Sequence, residues 1–223
     1  MVPRRRLRLA LSAISCTTAI ATRAASLLCK HPPKTRGTIT RRREELITAA
    51  AALLRSGGFD AVRHRAVAER AGLPLASTTY YFSSLEELVT AAVERTGRDE
   101  LAEVREQLDA LPAGELGTAD LIELILDHLI GRESREHGLE AALLRFERLV
   151  GAGRRPYLAP LMRKMRDEFE ALLAEILARS GRSLGPVAVR DLVSLVDGAL
   201  VSALIEADPD PRAVGRELLL RTL

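Results

Sequence analysis

The chain has no tryptophan, three tyrosines and four phenylalanines in 223 residues. An internal cavity is therefore expected to be walled by aliphatic side chains, which favours an apolar ligand. Cysteine is almost absent: Cys16 and Cys29 are the only two, and they form no Cys-x-x-Cys pair. That excludes a disulfide framework and points to a reducing, cytoplasmic setting. No stretch alternates apolar and polar residues between turn signals, which excludes a sheet. Glu-x-x-His, His-Glu-x-x-His, Gly-x-Ser-x-Gly and the Gly-rich phosphate loop are all missing. With them go the di-iron bundles, zinc proteases, hydrolases of the nucleophile-elbow type and nucleotide hydrolases, so an enzyme is not expected. No cofactor is expected either.

What the chain does carry is an uneven charge. Residues 1–43 hold eleven Lys or Arg and no acid, whereas residues 83–223 hold 18 bases against 26 acids. A basic end attracts polyanions at long range, and an acidic remainder keeps the rest of the molecule off them. Residues 1–37 open with Arg4-Arg5-Arg6 and a modest apolar run from Leu7 to Ala21. This has the outline of a secretory signal, but Ser and Thr interrupt the run and it is too short to span a bilayer. The segment reads instead as a disordered basic extension or as a misassigned start, ending at His31-Pro32-Pro33.

From residue 38 onward the pattern is helical. Thr38 or Thr40 can cap a first helix with Leu46, Ala50, Leu53 and Leu54 on one face, and Gly57-Gly58 is expected to stop it. A short helix follows over about 63–70. Gly72 breaks the chain, and a third helix runs from Pro74 to about Tyr81. Ser84-Leu85-Glu86-Glu87 reads as a capping box that starts a long fourth helix, ended by Pro112 and Gly114. Further helices are expected over about 118–131, 135–151, 156–180, 186–207 and 211–222. The composition, 47% hydrophobic and 28% charged, suits such an all-α fold.

Three of the seven aromatics stand together at Tyr80-Tyr81-Phe82. Two short helices joined through a glycine turn form a helix-turn-helix, whose second helix enters a DNA major groove. Leu75, Ala76, Ser77 and Thr79 give that helix a small, mixed surface for base edges. Tyr80 and Tyr81 carry hydroxyls that can reach backbone phosphates, while Phe82 belongs in the core.

Residues Thr40 to Leu88 resemble the N-terminal domain of TetR-family transcriptional regulators. The resemblance rests on Gly58-Phe59, Arg65, Val67-Ala68, Ala71-Gly72-Leu73, Tyr80-Tyr81-Phe82 and Glu86-Glu87-Leu88, in order and without a gap. It implies an all-α homodimer that binds a palindromic double-stranded DNA operator and responds to a small-molecule inducer, most simply as a repressor. The implied domains are a helix-turn-helix DNA-binding domain over 38–84 and a helical ligand-binding and dimerisation domain over 85–223. By position, Arg65 matches a base-reaching residue of the second helix, and Arg63 faces phosphate near its start. Leu75, Ala76, Ser77 and Thr79 match the base-facing side, with Tyr80 and Tyr81 as the phosphate clamp. Leu85 replaces a lysine that usually contacts phosphate. Thr78 and Thr79 replace a usual apolar residue and a usual tyrosine, so the operator does not carry over from better-known members.

Expected ligand contacts are the polar or aromatic side chains set in apolar faces: His128, Phe146, Tyr157, Met165 and Phe169. Core packing is the competing account of each. Residues 192–205 are apolar almost all round and too short for a membrane span. Leu192, Val196, Ala199, Leu200, Ala203 and Leu204, with Leu218 of the last helix, are therefore expected to meet a second copy about a two-fold axis. Asp127-His128 and Glu136-His137 are the only conceivable metal pairs, and no metal is expected. The rival function is a helical small-molecule-binding or scaffolding protein with a vestigial DNA-binding unit.

Overall fold

The computed structural model describes residues 36–111 and 116–223, with side chains from Ile39 onward. The basic extension up to residue 35, together with Pro112 and Gly114, lies outside the described residues. Nine α-helices and one 3-10 turn, with no strand, occur among the described residues. No described helix is long and apolar enough to cross a membrane.

Helix α1 spans Arg36–Ala61. It is already under way at Arg36, so Thr38 and Thr40 lie inside its first turns and do not cap it. Nor do the two glycines end it. They kink it, with Gly57 at φ −148°, ψ 15° and Gly58 at φ 65°, ψ −165°. Only glycine adopts the second of these backbone states without strain. The kink turns Phe59 back toward the core, and the Val62 amide donates to the Phe59 carbonyl at 3.1 Å.

Helix α2 (His64–Arg70) ends in a tight turn at Gly72, whose φ is +64°. The Leu73 amide donates to the Ala68 carbonyl at 2.9 Å and the Gly72 amide to the Glu69 carbonyl at 3.1 Å. These paired bonds satisfy helix-end carbonyls and require a left-handed residue at the turn. Pro74 then forms the cap of α3 (Leu75–Tyr81), one place before its first turn.

Ser84 accepts from the Glu87 amide at 3.1 Å and starts α4 (Leu85–Ala110). The Glu87 carboxylate reaches back one residue further than a simple capping box requires. It accepts from the amide and the hydroxyl of Ser83 at 2.7 and 2.8 Å. The remaining elements are α5 (Thr118–Ile130), α6 (Ser134–Ala152), a 3-10 turn (Pro156–Leu158), α7 (Ala159–Arg179), α8 (Pro186–Ile205) and α9 (Pro211–Thr222).

Two hydrophobic clusters hold these helices. The first gathers Leu46, Ala50, Leu54, Val62, Val67, Phe82, Leu88, Val89 and Leu158. The second is larger and is built from Leu121, Ile125, Leu129, Leu173, Ile176, Val196, Leu200 and Leu219 with their neighbours. Helix α4 belongs to both, giving Leu88, Val89, Ala92 and Val93 to the first and Val104 and Leu108 to the second. Between these sets lies Gly97, where a Cβ would fall 1.8 Å from the terminal carbon of Met165 on α7. The missing side chain makes room for that methionine.

An ionic network ties α9 to α5 and α6. Buried Arg212 donates to the Glu123 carboxylate and to Asp127, both at 2.7 Å, and to the Ser134 hydroxyl at 3.0 Å. Arg135 grips the same Asp127 through two bonds of 2.8 Å. With its carboxylate held by two guanidinium groups, Asp127 is a structural anion and not a metal ligand.

Candidate nucleic-acid interface

Helix α3 has two distinct sides. Leu75, Ala76, Thr79 and Tyr80, spaced one and four residues apart, form one exposed face, with Leu75 at 52% and Tyr80 at 63% exposure. Thr78 and Phe82 are buried beneath them, and Ser77 sits at the margin. This is the shape a recognition helix needs: a ridge of small side chains held from below by a packed core. Thr79 donates its hydroxyl to the Ala76 carbonyl at 3.2 Å, so the side chain presents a methyl and acceptor lone pairs. Leucine, alanine and a threonine methyl suit contact with thymine methyl groups.

Thr78 stands where an apolar residue is usual. Its burial is accommodated because its hydroxyl donates to the Leu75 carbonyl at 2.8 Å, so the threonine leaves no unsatisfied donor of its own. Arg65 is exposed on α2. Arg63 is also exposed, but its Nε donates to the Asp60 carbonyl at 2.9 Å and braces the end of α1. Leu85 is exposed at the start of α4.

The two tyrosines part company. Tyr81 is half-buried against the first hydrophobic cluster, and its hydroxyl is enclosed without a hydrogen-bond partner. The expected pair of outward phenols is therefore corrected to one, Tyr80. Tyr81 is three residues after buried Thr78, on the side of α3 that faces the core. The Tyr80 ring meets the Tyr81 ring edge-on at 4.8 Å, which braces the exposed side chain.

The side chains expected to line a ligand pocket pack elsewhere. His128 is 3% exposed, stacks on Phe169 at 3.7 Å, and donates from Nε2 to the Phe169 carbonyl at 2.9 Å. Burial, which that carbonyl only partly offsets, pulls the imidazole pKa down to about 4. Phe146 and Phe169 lie against the second cluster, and Tyr157 and Met165 against the first. None of the five lines either of the two clefts described in the body of the molecule. Those clefts set charged side chains beside short apolar stretches, not the wholly aliphatic lining expected. Sequence reading missed them because much of their lining is arginine and glutamate, which look like solvated helix faces until a fold encloses them.

The surface on α8 is corrected as well. Leu192, Val196, Leu200 and Ala203 are buried within this chain, in or beside its own second cluster, and Ala199, Leu204 and Leu218 are half-buried. The exposed apolar residues are Val187, Leu195, Val201 and Ile205 on α8 and Leu220 on α9. A signal for that face was present: Asp191, Ser194 and Ser202 repeat at helical spacing along the wet side.

Comparison with known proteins agrees with this geometry. A family model described as "Bacterial regulatory proteins, tetR family" matches residues 46–92, and a "Tetracyclin repressor-like, C-terminal domain" matches residues 116–223. The crystal structure of multidrug binding protein EbrR complexed with proflavin is 30% identical, over 82% of this chain and 99% of that one, at a TM-score of 0.58. Its ethidium complex gives 30% identity, 81% and 97% coverage, and a TM-score of 0.60. A TetR-family member from Streptomyces coelicolor A3, SCO1917, is 30% identical over 81% of this chain and 96% of its own, with a TM-score of 0.55. No curated protein matches the chain. Fold and interface thus define a DNA-binding transcriptional regulator of the helix-turn-helix class. The chain belongs to the TetR family, whose members are non-enzymatic.

Proposed function

We propose that the protein is a cytoplasmic homodimeric repressor that releases a palindromic operator when a small molecule binds its C-terminal helices. The observation that carries the reading is the exposed face of α3, Leu75, Ala76, Thr79 and Tyr80, resting on buried Thr78 and Phe82. Small-molecule response is supported by the likeness to EbrR, which is seen with proflavin and with ethidium. The mechanism is a population shift. Ligand favours a state whose two recognition helices no longer match successive major grooves about 34–36 Å apart, and it must bind the two states unequally to do so. The proposed domains are the helix-turn-helix unit to residue 84 and the helical body from 85 onward.

Within the interface, Arg65 and the α3 face read bases while Tyr80 and Arg63 meet phosphates. Enrichment of operator sequences from random DNA, followed by anisotropy titrations, tests these roles. Tyr80→Phe is expected to weaken every sequence alike, by about tenfold. Arg65→Ala is expected to cost about 1–3 kcal/mol of discrimination at one base pair. Tyr81→Phe should leave affinity unchanged, because its enclosed hydroxyl has no partner to lose. A uniform loss for Arg65→Ala, or a loss for Tyr81→Phe, contradicts the assignments, and a protein that enriches no palindrome returns the case to the scaffolding alternative.

A second copy is proposed to cover Val187, Leu195, Val201 and Ile205 with Leu220. Ile205, at 80% exposure, is the least defensible of these in a monomer. Leu195→Glu with Ile205→Glu is expected to give folded monomers in sedimentation equilibrium and to weaken palindrome binding. Leu192→Glu should instead unfold the chain, since that side chain is buried in its own core. Dimers that survive the double substitution would place the interface elsewhere.

A further inference from the structure

We propose that the cleft between α1, α4 and α6 binds a small organic monocarboxylate with a short apolar body, held by Arg148. For its regulatory consequence this rests on the ligand-responsive reading above; the binding itself stands on the cleft. The cleft encloses ≈ 320 Å³, at the small end of the range in which ligand pockets fall, about 300–1,000 Å³.

Its floor is ionic and unbalanced. Glu100 of α4 bridges two arginines of α6, accepting from Arg145 Nη1 at 2.7 Å through one oxygen and from Arg148 Nη2 through the other. Arg145 has all three of its nitrogens engaged, since its Nε also donates to the Leu129 carbonyl at 3.0 Å and its Nη2 to the His128 carbonyl at 3.1 Å. Arg148 makes a single hydrogen bond among the described residues, although its side chain is only 11% exposed. A guanidinium carries five N–H donors, and donors withdrawn from water without an acceptor are costly. The floor thus holds two desolvated cations against one anion whose oxygens are both in use.

Burial draws Arg148 below the usual guanidinium value, against the pull of Glu100. Burial alone would push Glu100 up, but Arg145 and Arg148 together hold its carboxyl below the usual carboxylate range. The third cation, Arg55 of α1, is paired at 3.5 Å with Asp99. Glu133 and Glu140 stand on the exposed rim, where water screens them.

The unbalanced floor calls for an anion, and the rim acids, though screened, limit how much charge it can carry. A dianion such as phosphate would meet them with twice the repulsion, and a cation would find no unengaged anion at the floor. A monocarboxylate offers two oxygens in the plane that the Arg148 fork requires. Ile130, Ala141 and Leu144 supply an apolar wall for the rest of the molecule. Gly131 lines the mouth at φ +83°, a backbone state that residues with side chains rarely adopt. A bound acid would join α1, α4 and α6, and α4 runs on into the cluster that supports the recognition helix.

The test is calorimetric titration of the full chain, without DNA, with hexanoate, octanoate, hexylamine and hexanol. The two acids are expected to bind and the amine and alcohol are not. Arg148→Gln should weaken the acids by about tenfold, the loss of a charge-assisted pair. Leu144→Phe, which leaves the ionic floor intact and narrows the apolar wall, should weaken octanoate more than hexanoate. Absence of binding by either acid at millimolar concentration, equal binding of hexylamine, or unchanged affinity in both variants would overturn the proposal. Operator affinity of the ligand-free protein, measured separately, shows whether a failure belongs to this cleft or to the DNA-binding reading.

Discussion

Replacing Phe82 by alanine is expected to lower stability by about 3–5 kcal/mol and to abolish operator binding at physiological temperature. Phe82 is 1% exposed and closes the first hydrophobic cluster from beneath α3. Its amide also donates to the Thr78 carbonyl at 2.9 Å, which ends the recognition helix. Seven residues are too few for a helix to persist alone, so α3 depends on what it packs against. Removing the ring leaves a cavity and takes away the platform together. Urea unfolding and an anisotropy titration with operator DNA read the two effects. A Phe82→Leu control, which refills most of the space, should recover the greater part of both. If Phe82→Ala kept wild-type operator affinity, the view of α3 as a ridge held by its core would be wrong.

Stability should also fall as the solution is acidified below neutrality, and His128 is the reason. Its folded-state pKa is about 4, against about 6.5 in the unfolded chain. Above the higher value the imidazole is neutral in both states and contributes no pH dependence. Between the two values the unfolded chain takes up a proton that the folded chain refuses, so acid favours unfolding. The full effect is about 3 kcal/mol, of which about 2 kcal/mol falls between pH 6.5 and 5, and it levels off below the folded value.

The carboxylates act in a different range. Glu123 and Glu170 are held below the usual carboxylate values by their arginine partners, as Glu100 is. Their contributions are present above their unfolded values and are lost only in more acidic solution. His128→Gln keeps an N–H donor for the Phe169 carbonyl and removes the titration. Urea midpoints measured from pH 7.5 to 5 should therefore run flatter in the variant. Parallel curves for the two proteins would show that the buried imidazole is not what acid attacks.

Much of this architecture can be read from residue patterns, and the unread parts share a cause. The helix-turn-helix is legible because its signals are local: Gly72 needs a left-handed turn, Pro74 starts a helix, and Ser84 caps the next. Tyr81 and Tyr80 look equivalent in sequence, and only the rotation of α3 on its core separates an enclosed phenol from an exposed one. Helix α8 fails for the same reason. Where nearly every position is apolar, periodicity carries little information about which side faces inward, so Leu192 and Leu195 exchange roles. The ionic floor at Glu100, Arg145 and Arg148 brings together residues 45 and 48 positions apart. Nothing along the chain announces that meeting. His128 stands out in the sequence as a polar group in an apolar face, a pattern that does not separate ligand contact from core packing, and its partner, the backbone of Phe169, carries no side-chain signature at all.

Helix α4 is 26 residues long and passes through both packed clusters with Gly97 near its midpoint. At about 1.5 Å of rise per residue, each arm on either side of that glycine is about 18–20 Å long. A rocking of only about 5° would carry the two tips about 1.5 Å in opposite senses. A seesaw of this kind would turn on a filled contact, where the flexible thioether of Met165 takes the space a Cβ at Gly97 would occupy.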